Sequence, residues 1–195
     1  MSHNKGVKRI IKYLKCTKGN GLIMYPKNDK GFECFVDADF AGGWSTNEYD
    51  NLASVYSRPG YIIKYKNCPI IWASKLQSEI SLSTTEAEYI DLSQAMREIV
   101  LMMEHLQQLE KTLNIQSKRP SMKCKLFKDN NSAIELAKAP KICPRTKHIA
   151  LKYHHFREYV RKGLIEINPI DTLEQVADIF TKASLFPIFN SLRKR

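Results

Sequence analysis

The sequence predicts an α/β fold, a mixed β-sheet covered by helices. Three observations carry this. Strand-like segments crowd the first third of the chain, which implies an antiparallel part. Later strand-like segments are separated by helical ones, which implies crossover connections and parallel pairs. A long amphipathic segment in the middle supplies a covering helix.

The elements follow in order. Val7, Ile10, Ile11 and Leu14 recur at helical spacing and predict a short helix over 5–16. "KGNG" ends it. "LIMY" and "FECFVDADF" (32–40) read as strands joined by the turn "PKNDKG", and the polar loop "GGWSTNEYDN" follows. "GYIIKY" and "PIIWAS" flank Lys66-Asn67-Cys68 as a hairpin. The longest helix starts near Thr84 and ends near Glu110, with Leu92, Met96, Ile99, Val100, Met103 and Leu106 as its apolar stripe. "MKCKLFKD" is a strand, and "NNSAIELAKAP" a short helix stopped by Pro140. "HIALKYHHFREYVRKG" is a helix closed by Gly163, and "LIEIN" the last strand. A final helix begins after Asp171-Thr172 and runs to about Lys182.

The 195 residues suffice for one domain and a short extension. Lys and Arg outnumber Asp and Glu by 31 to 20, a net charge of +11 that favours an anionic partner, most simply nucleic acid. No run of about 18 apolar residues exists, so no membrane span is expected. The basic, amphipathic start lacks the apolar core of a signal peptide. Five cysteines are spread singly with no CxxC pair, which argues against zinc and suits reduced thiols inside a cell.

Four elements place an acid near an end: Asp37, Glu86, Asp129 and Asp178. Clustered carboxylates are what hard divalent cations need. Two such ions about 4 Å apart can activate a water and stabilise the leaving oxygen in phosphodiester hydrolysis. Each acid also has a structural explanation. Ser83 and Glu86 have capping-box spacing. Asp129 can begin a turn, although Asn130 and Asn131 can already cap the next helix. Asp178 stands four before Lys182, a helical ion-pair spacing. Asp37 or Asp39 can close a strand-end turn. All four at element ends of one mixed sheet favour the metal reading, because ligands collect at strand ends.

The stretches "VDADFAGGW", "PIIWASKLQSEISLSTTEAEYIDLSQAMREI", "LFKDNNSAIELA", "RTKHIALKYHHFREYV" and "EQVADIFTK" occur in one order over about residues 31–182. Together they resemble the ribonuclease H domain that follows the reverse transcriptase in copia-type retrotransposon polyproteins. "VKRIIKYLKCTKGNGLIMY" resembles that family's connection to the polymerase. No YxDD-like polymerase motif is present, so the chain is expected to be a fragment or remnant of a longer element.

The resemblance implies a ribonuclease H-like, five-stranded mixed sheet flanked by helices. It implies a basic connection segment (1–30), a ribonuclease H-like domain (31–182) and a basic tail (183–195). It assigns the metal-binding, catalytic quartet to Asp37, Glu86, Asp129 and Asp178, holding two Mg²⁺ with Mn²⁺ as a substitute. The activity implied is endonucleolytic cleavage of the RNA strand of an RNA–DNA hybrid. Its setting is intracellular, in a cytoplasmic particle or the nucleus, and the element's own reverse transcriptase is a further partner.

Two choices rest differently on residues and resemblance. Asp37 and Asp39 share a strand face, and only the family pattern prefers Asp37. Glu88 rivals Glu86. It lies on the apolar stripe, where an ionised group is costly unless paired, whereas Glu86 lies round from the stripe in the first turn.

The family usually has Ala where Asp91 stands and Thr or Ser where Pro59 stands, and no histidine matches the mobile-loop histidine of some cellular ribonucleases H. These departures support an alternative, a catalytically inactive nucleic-acid-binding remnant. An integrase-type strand transferase ranks lower, because its glutamate comes last in chain order.

Basic residues concentrate in two stretches. Residues 5–30 hold eight Lys or Arg against Asp29. Residues 138–162 include Arg145, Lys147, Lys152 and Arg157, expected to contact phosphates in a salt-sensitive way. A loop-to-helix junction at "RTKHI" adds backbone donors. His148, His154 and His155 read as packing or backbone-contacting residues rather than a metal site, and Trp44 and Trp72 as packing residues rather than base-stacking platforms.

Overall fold

Strands β1 (Phe32–Asp39), β2 (Arg58–Tyr65), β3 (Cys68–Ser74), β4 (Cys124–Lys128) and β5 (Ile165–Pro169) form one sheet in the order β3-β2-β1-β4-β5. The computed structural model describes residues 2–44, 54–114, 122–139 and 154–195. β1–β2 and β2–β3 are antiparallel, while β1–β4 and β4–β5 are parallel, the mixed sheet expected from the order of elements. The β2–β3 hairpin turns on Lys66 and Asn67 with φ of 50° and 69°. Two successive left-handed residues match the right-handed twist of the flanking strands.

The crossover from β3 to β4 runs through helix α2 (Thr84–Thr112), capped by Ser83, whose side chain accepts from the Glu86 N–H. Tyr89, Leu92, Met96, Ile99 and Met103 of α2 are buried in one core with Phe32, Cys34, Val36, Ile63, Leu126, Ile165 and Ile167 from the sheet. Each such side chain contributes about 1.5–3 kcal/mol through burial. Val100 and Leu106, the other members of the predicted stripe, are only partly buried. Helices α3 (Asn131–Lys138) and α4 (Arg157–Arg161) lie between β4 and β5. Gly163 follows with φ of 68°, the left-handed stop the sequence predicts.

Several expectations are corrected. Residues 22–25 form no strand, and Leu22 and Ile23 are 59% and 84% exposed. Among the described residues no sheet edge pairs with them, and apolar composition alone does not make a strand. The first helix, α1 (Ser2–Thr17), is longer than predicted, and its stripe of Val7, Ile10, Ile11 and Leu14 is exposed. Of the predicted helix over 148–163, α4 is the described part, and residues 140–153, with Pro140, Cys143 and His148, lie outside the described residues.

The predicted final helix is broken. A 3-10 turn (Thr172–Glu174) leads to Gln175, and α5 (Asp178–Thr181) begins afresh. Gln175 is fully buried and its Nε2 donates to the Val36 carbonyl at 3.0 Å, which draws the chain out of helical conformation. A further helix, α6 (Phe186–Leu192), follows within the predicted tail. Trp44 and Trp72 are 51% and 53% exposed, so neither is a core residue. Pro59 sits near the start of β2, one residue before pairing with β3 begins, where a missing N–H is tolerated.

Candidate metal centre

The sheet register brings two aspartates together. Phe35 of β1 pairs with Phe127 of the parallel strand β4, and their rings stack at 4.9 Å. Asp37 and Asp129 each lie two residues further on, hence on the same face at the same end of adjacent parallel strands. Asp178, the first residue of α5, completes the group. One oxygen from each of Asp37, Asp129 and Asp178 lies within 4.8 Å of the others.

The approach of α5 depends on Gly60, which faces Asp37 across the β1–β2 ladder. A Cβ at Gly60 would stand 2.6 Å from Thr181 Cγ2 and 2.8 Å from Phe180 Cβ. With no side chain there, Thr181 reaches Asp37, donating from Oγ1 to Oδ2 at 2.5 Å. Asp39, on the same strand face, is turned elsewhere. A Cβ on Gly42 would collide with its carboxylate, which therefore lies over the turn after β1.

Among the described residues this close cluster holds the three aspartates, without Glu86 or Glu88. Glu86 accepts through Oε2 from the Leu82 N–H at 2.7 Å while its own N–H donates to Ser83 Oγ at 3.1 Å, so it serves the start of α2. It is also buried, at 8% exposure, so being nearer solvent does not separate it from Glu88. Glu88 forms a close ion pair with Lys128, whose Nζ also lies 3.7 Å from Asp37 and 3.5 Å from Asp129. The glutamate on the apolar stripe is thus paired, which removes the objection to it.

Two lysines that the sequence reading did not single out enter the site. Lys128 is fully buried and donates to the Val36 carbonyl at 3.0 Å. Lys182 Nζ bridges Asp37 Oδ2 at 3.1 Å and Asp178 Oδ1 at 3.2 Å. Strand alternation was the available signal for Lys128, which shares the core-facing row of Cys124 and Leu126. A lysine in that row must meet buried acids.

Burial pushes the Asp37 carboxyl up, but Lys128, the Thr181 hydroxyl and Lys182 outweigh it and hold the group below the ordinary range. Burial and the Asp37 charge push Asp178 up to about 6, against Lys182. Burial pushes Glu88 up to about 7 despite Lys128. Burial opposes charge on Lys128, yet Glu88 and Asp37 raise its pKa. Asp91 is fully buried on α2, and burial raises it well above the carboxylate range. The Gly60 N–H is directed towards Asp91, but neither carboxyl oxygen has a partner within hydrogen-bonding geometry, so Asp91 is a buried acid with an unmet bonding capacity.

The donor set fits a hard divalent cation. Three carboxylates converge from three elements, and cations already sit against them. The phosphate-contact candidates Arg145, Lys147 and Lys152 lie outside the described residues. Arg157 is half-buried, and its guanidinium donates to the Ala139 carbonyl just beyond α3. Two described histidines of this stretch make side-chain contacts. His154 Nδ1 meets the Tyr89 hydroxyl at 2.6 Å, and His155 Nδ1 lies 3.5 Å from Ser93 Oγ.

Over 180 residues, 92% of its length, the chain is 36% identical to the retrovirus-related Pol polyprotein from transposon TNT 1-94 of Nicotiana tabacum. Over the same span it is 33% identical to the Pol polyprotein from transposon RE2 of Arabidopsis thaliana. These alignments take in only 12% and 11% of those polyproteins. Among solved structures, LC11-RNase H1 in complex with RNA/DNA hybrid superposes with a TM-score of 0.50 at 12% identity, over 77% of this chain and 93% of that one. No protein-family model matches the chain.

Proposed function

The chain is homologous to a segment of the Pol polyproteins of copia-type plant transposons and has the ribonuclease H fold; from this premise we propose that it is a metal-dependent endoribonuclease. Its substrate on this reading is the RNA strand of an RNA–DNA hybrid. The convergence of Asp37, Asp129 and Asp178 at one end of the sheet carries the reading.

On this reading Asp37, Asp129 and Asp178 hold Mg²⁺, with Mn²⁺ as a substitute. A glutamate of α2 is the fourth carboxylate. Its contact with Lys128 beside Asp37 and Asp129 favours Glu88 over Glu86 for that role. When bound, the divalent cations supply activation of the attacking water and neutralisation of the leaving 3′-oxygen. The chain's own contribution is to fix the carboxylates. Thr181 orients Asp37, Gln175 ties the segment before α5 to β1, and Gly60 lets α5 close on the sheet. Water's oxygen would bond to phosphorus as the bond to the 3′-oxygen breaks, the water giving up a proton and the leaving 3′-oxygen taking one up. Hybrid preference rests on 2′-hydroxyl contacts across the minor groove. On this reading the reverse transcriptase of the same polyprotein is a partner and the setting is intracellular. Among the described residues no helix is long and apolar enough to cross a membrane.

The test is a cleavage assay with purified protein, labelled hybrid and Mg²⁺. Cleavage by wild type that disappears in Asp129→Asn supports the proposal. Absence of cleavage by wild type, or an unimpaired Asp129→Asn, refutes it.

A second reading, an inactive nucleic-acid-binding remnant, is favoured by Lys128 and Asp91, a buried cation and a buried acid without hydrogen-bond partners beside the carboxylates. Salt-sensitive hybrid binding by a folded protein that does not cut would establish it.

A further inference from the structure

Lys128 is the described lysine with no exposed surface. Its stem lies in the same row of β4 as Cys124 and Leu126, and its ammonium is tied to the Val36 carbonyl. The ammonium then contacts Asp37 Oδ1, Asp129 Oδ1 and Glu88 Oε2. Lys182 holds the other oxygen of Asp37, Oδ2, but its side chain is 38% exposed. The two lysines therefore differ in what an arriving cation can do to them. Lys182 can swing into water. Lys128 cannot withdraw without driving its charge into the apolar row or breaking β4.

Charge balance separates two outcomes. Asp37, Glu88, Asp129 and Asp178 carry four negative charges when ionised, and two divalent ions neutralise them. With the Lys128 ammonium fixed among them, one divalent ion leaves a single negative charge. A second would leave a net positive charge in a largely buried site, which is unfavourable.

We propose that Lys128 is a built-in cation that stands in for one divalent ion, so that the free protein binds one metal, in exchange for Lys182, and stays folded without any. This rests on reading the carboxylates as a metal centre. It extends that reading by assigning a metal stoichiometry to a residue of the chain itself.

The experiment titrates the metal-free full chain with Mn²⁺, followed by the paramagnetic resonance of the free ion, and measures melting temperature in EDTA and in Mg²⁺. Wild type, Lys128→Met and the double variant Lys128→Met/Glu88→Gln are compared. Wild type should bind one Mn²⁺. Lys128→Met should bind two, the tighter at least about tenfold more strongly than wild type does, because an adjacent fixed charge is gone. It should melt lower than wild type in EDTA and be restored by Mg²⁺. The double variant, which loses the lysine together with one partner, should melt near wild type in EDTA.

Equal stoichiometry and affinity in wild type and Lys128→Met would overturn the proposal while leaving the metal centre standing. Absence of Mn²⁺ binding in every protein would overturn both. If Lys128→Met does not fold even in Mg²⁺, the double variant decides. Tighter Mn²⁺ binding than wild type supports the proposal, and failure to fold reduces Lys128 to a packing element and overturns it.

Discussion

Asp37 faces Gly60 across the antiparallel ladder, and the missing side chain of Gly60 is what admits Thr181 to the Asp37 carboxylate. A helix only four residues long is thereby held against the sheet and delivers Asp178. Gly60→Ala should force α5 outward and cost about 1–3 kcal/mol, the range for overpacking a tight contact. Urea unfolding measures that cost. The same variant should lose cleavage out of proportion to its lost stability, since its damage falls on the site.

The two glutamates of "TTEAEY" separate by different assays. Glu88→Gln should lower cleavage by at least about 100-fold, more than outer-shell partners of metal ligands cost. Glu86→Gln should leave cleavage near wild type and cost at most about 1 kcal/mol, the worth of a helix-start interaction. Steady-state cleavage and urea melts on both variants check this, and the reverse ranking would return Glu86 to the quartet.

Metal-free stability should fall as pH rises towards neutrality. Glu88 and Asp178 have folded pKa values of about 7 and about 6, above their ordinary 4.5 and 3.8. A raised carboxyl pKa stabilises the fold most below its unfolded value, and that contribution is lost as pH climbs through the folded one. Asp37 works the other way, because its pKa is lowered and its contribution disappears only in stronger acid. In EDTA, stability should therefore peak between the Asp37 transition and about pH 5. Mg²⁺ should flatten the decline towards pH 7, because it binds the ionised carboxylates. Thermal melts across pH with and without Mg²⁺ test this, and a metal-free optimum at pH 7 or above contradicts it.

Asp91→Ala should stabilise the protein by about 1–2 kcal/mol, since it deletes a buried carboxyl whose oxygens lack good partners. Urea unfolding shows the sign. A loss would mean that the approach of the Gly60 N–H is worth more than the burial of the group.

The sheet was legible because its signals are local. Alternation marked β1 and β4, and Lys66-Asn67 marked the hairpin turn. Asp37 and Asp129 were legible for the same reason, each at the end of a strand whose period is visible. Residues 22–25 misled because strand composition says nothing about whether an edge is available to pair with. The broken final helix turns on a buried Gln175 reaching Val36, a contact spanning 139 positions that no local pattern encodes. The case for Glu88 was hidden for a related reason. Glu88 looked too costly on an apolar face until Lys128, from another element, was seen to meet it. Capping and metal readings were also not rivals everywhere. Ser83 does cap α2, with the Glu86 side chain accepting from the Leu82 N–H, and Asp178 does pair with Lys182, yet Asp178 still belongs to the carboxylate group.

The bond between Thr181 and Asp37 joins residues 144 positions apart. Antiparallel strands β1 to β3 can form from neighbouring sequence early, whereas this closure must wait for the end of the chain. During synthesis Asp37 and Asp129 can meet once β4 pairs with β1, but Asp178 and the Thr181 bond join them only after residue 182 has cleared the ribosome. A chain stopped before α5 therefore carries most of the sheet but only two of the three clustered aspartates, and it should be without the centre's activity rather than a weaker version of the whole.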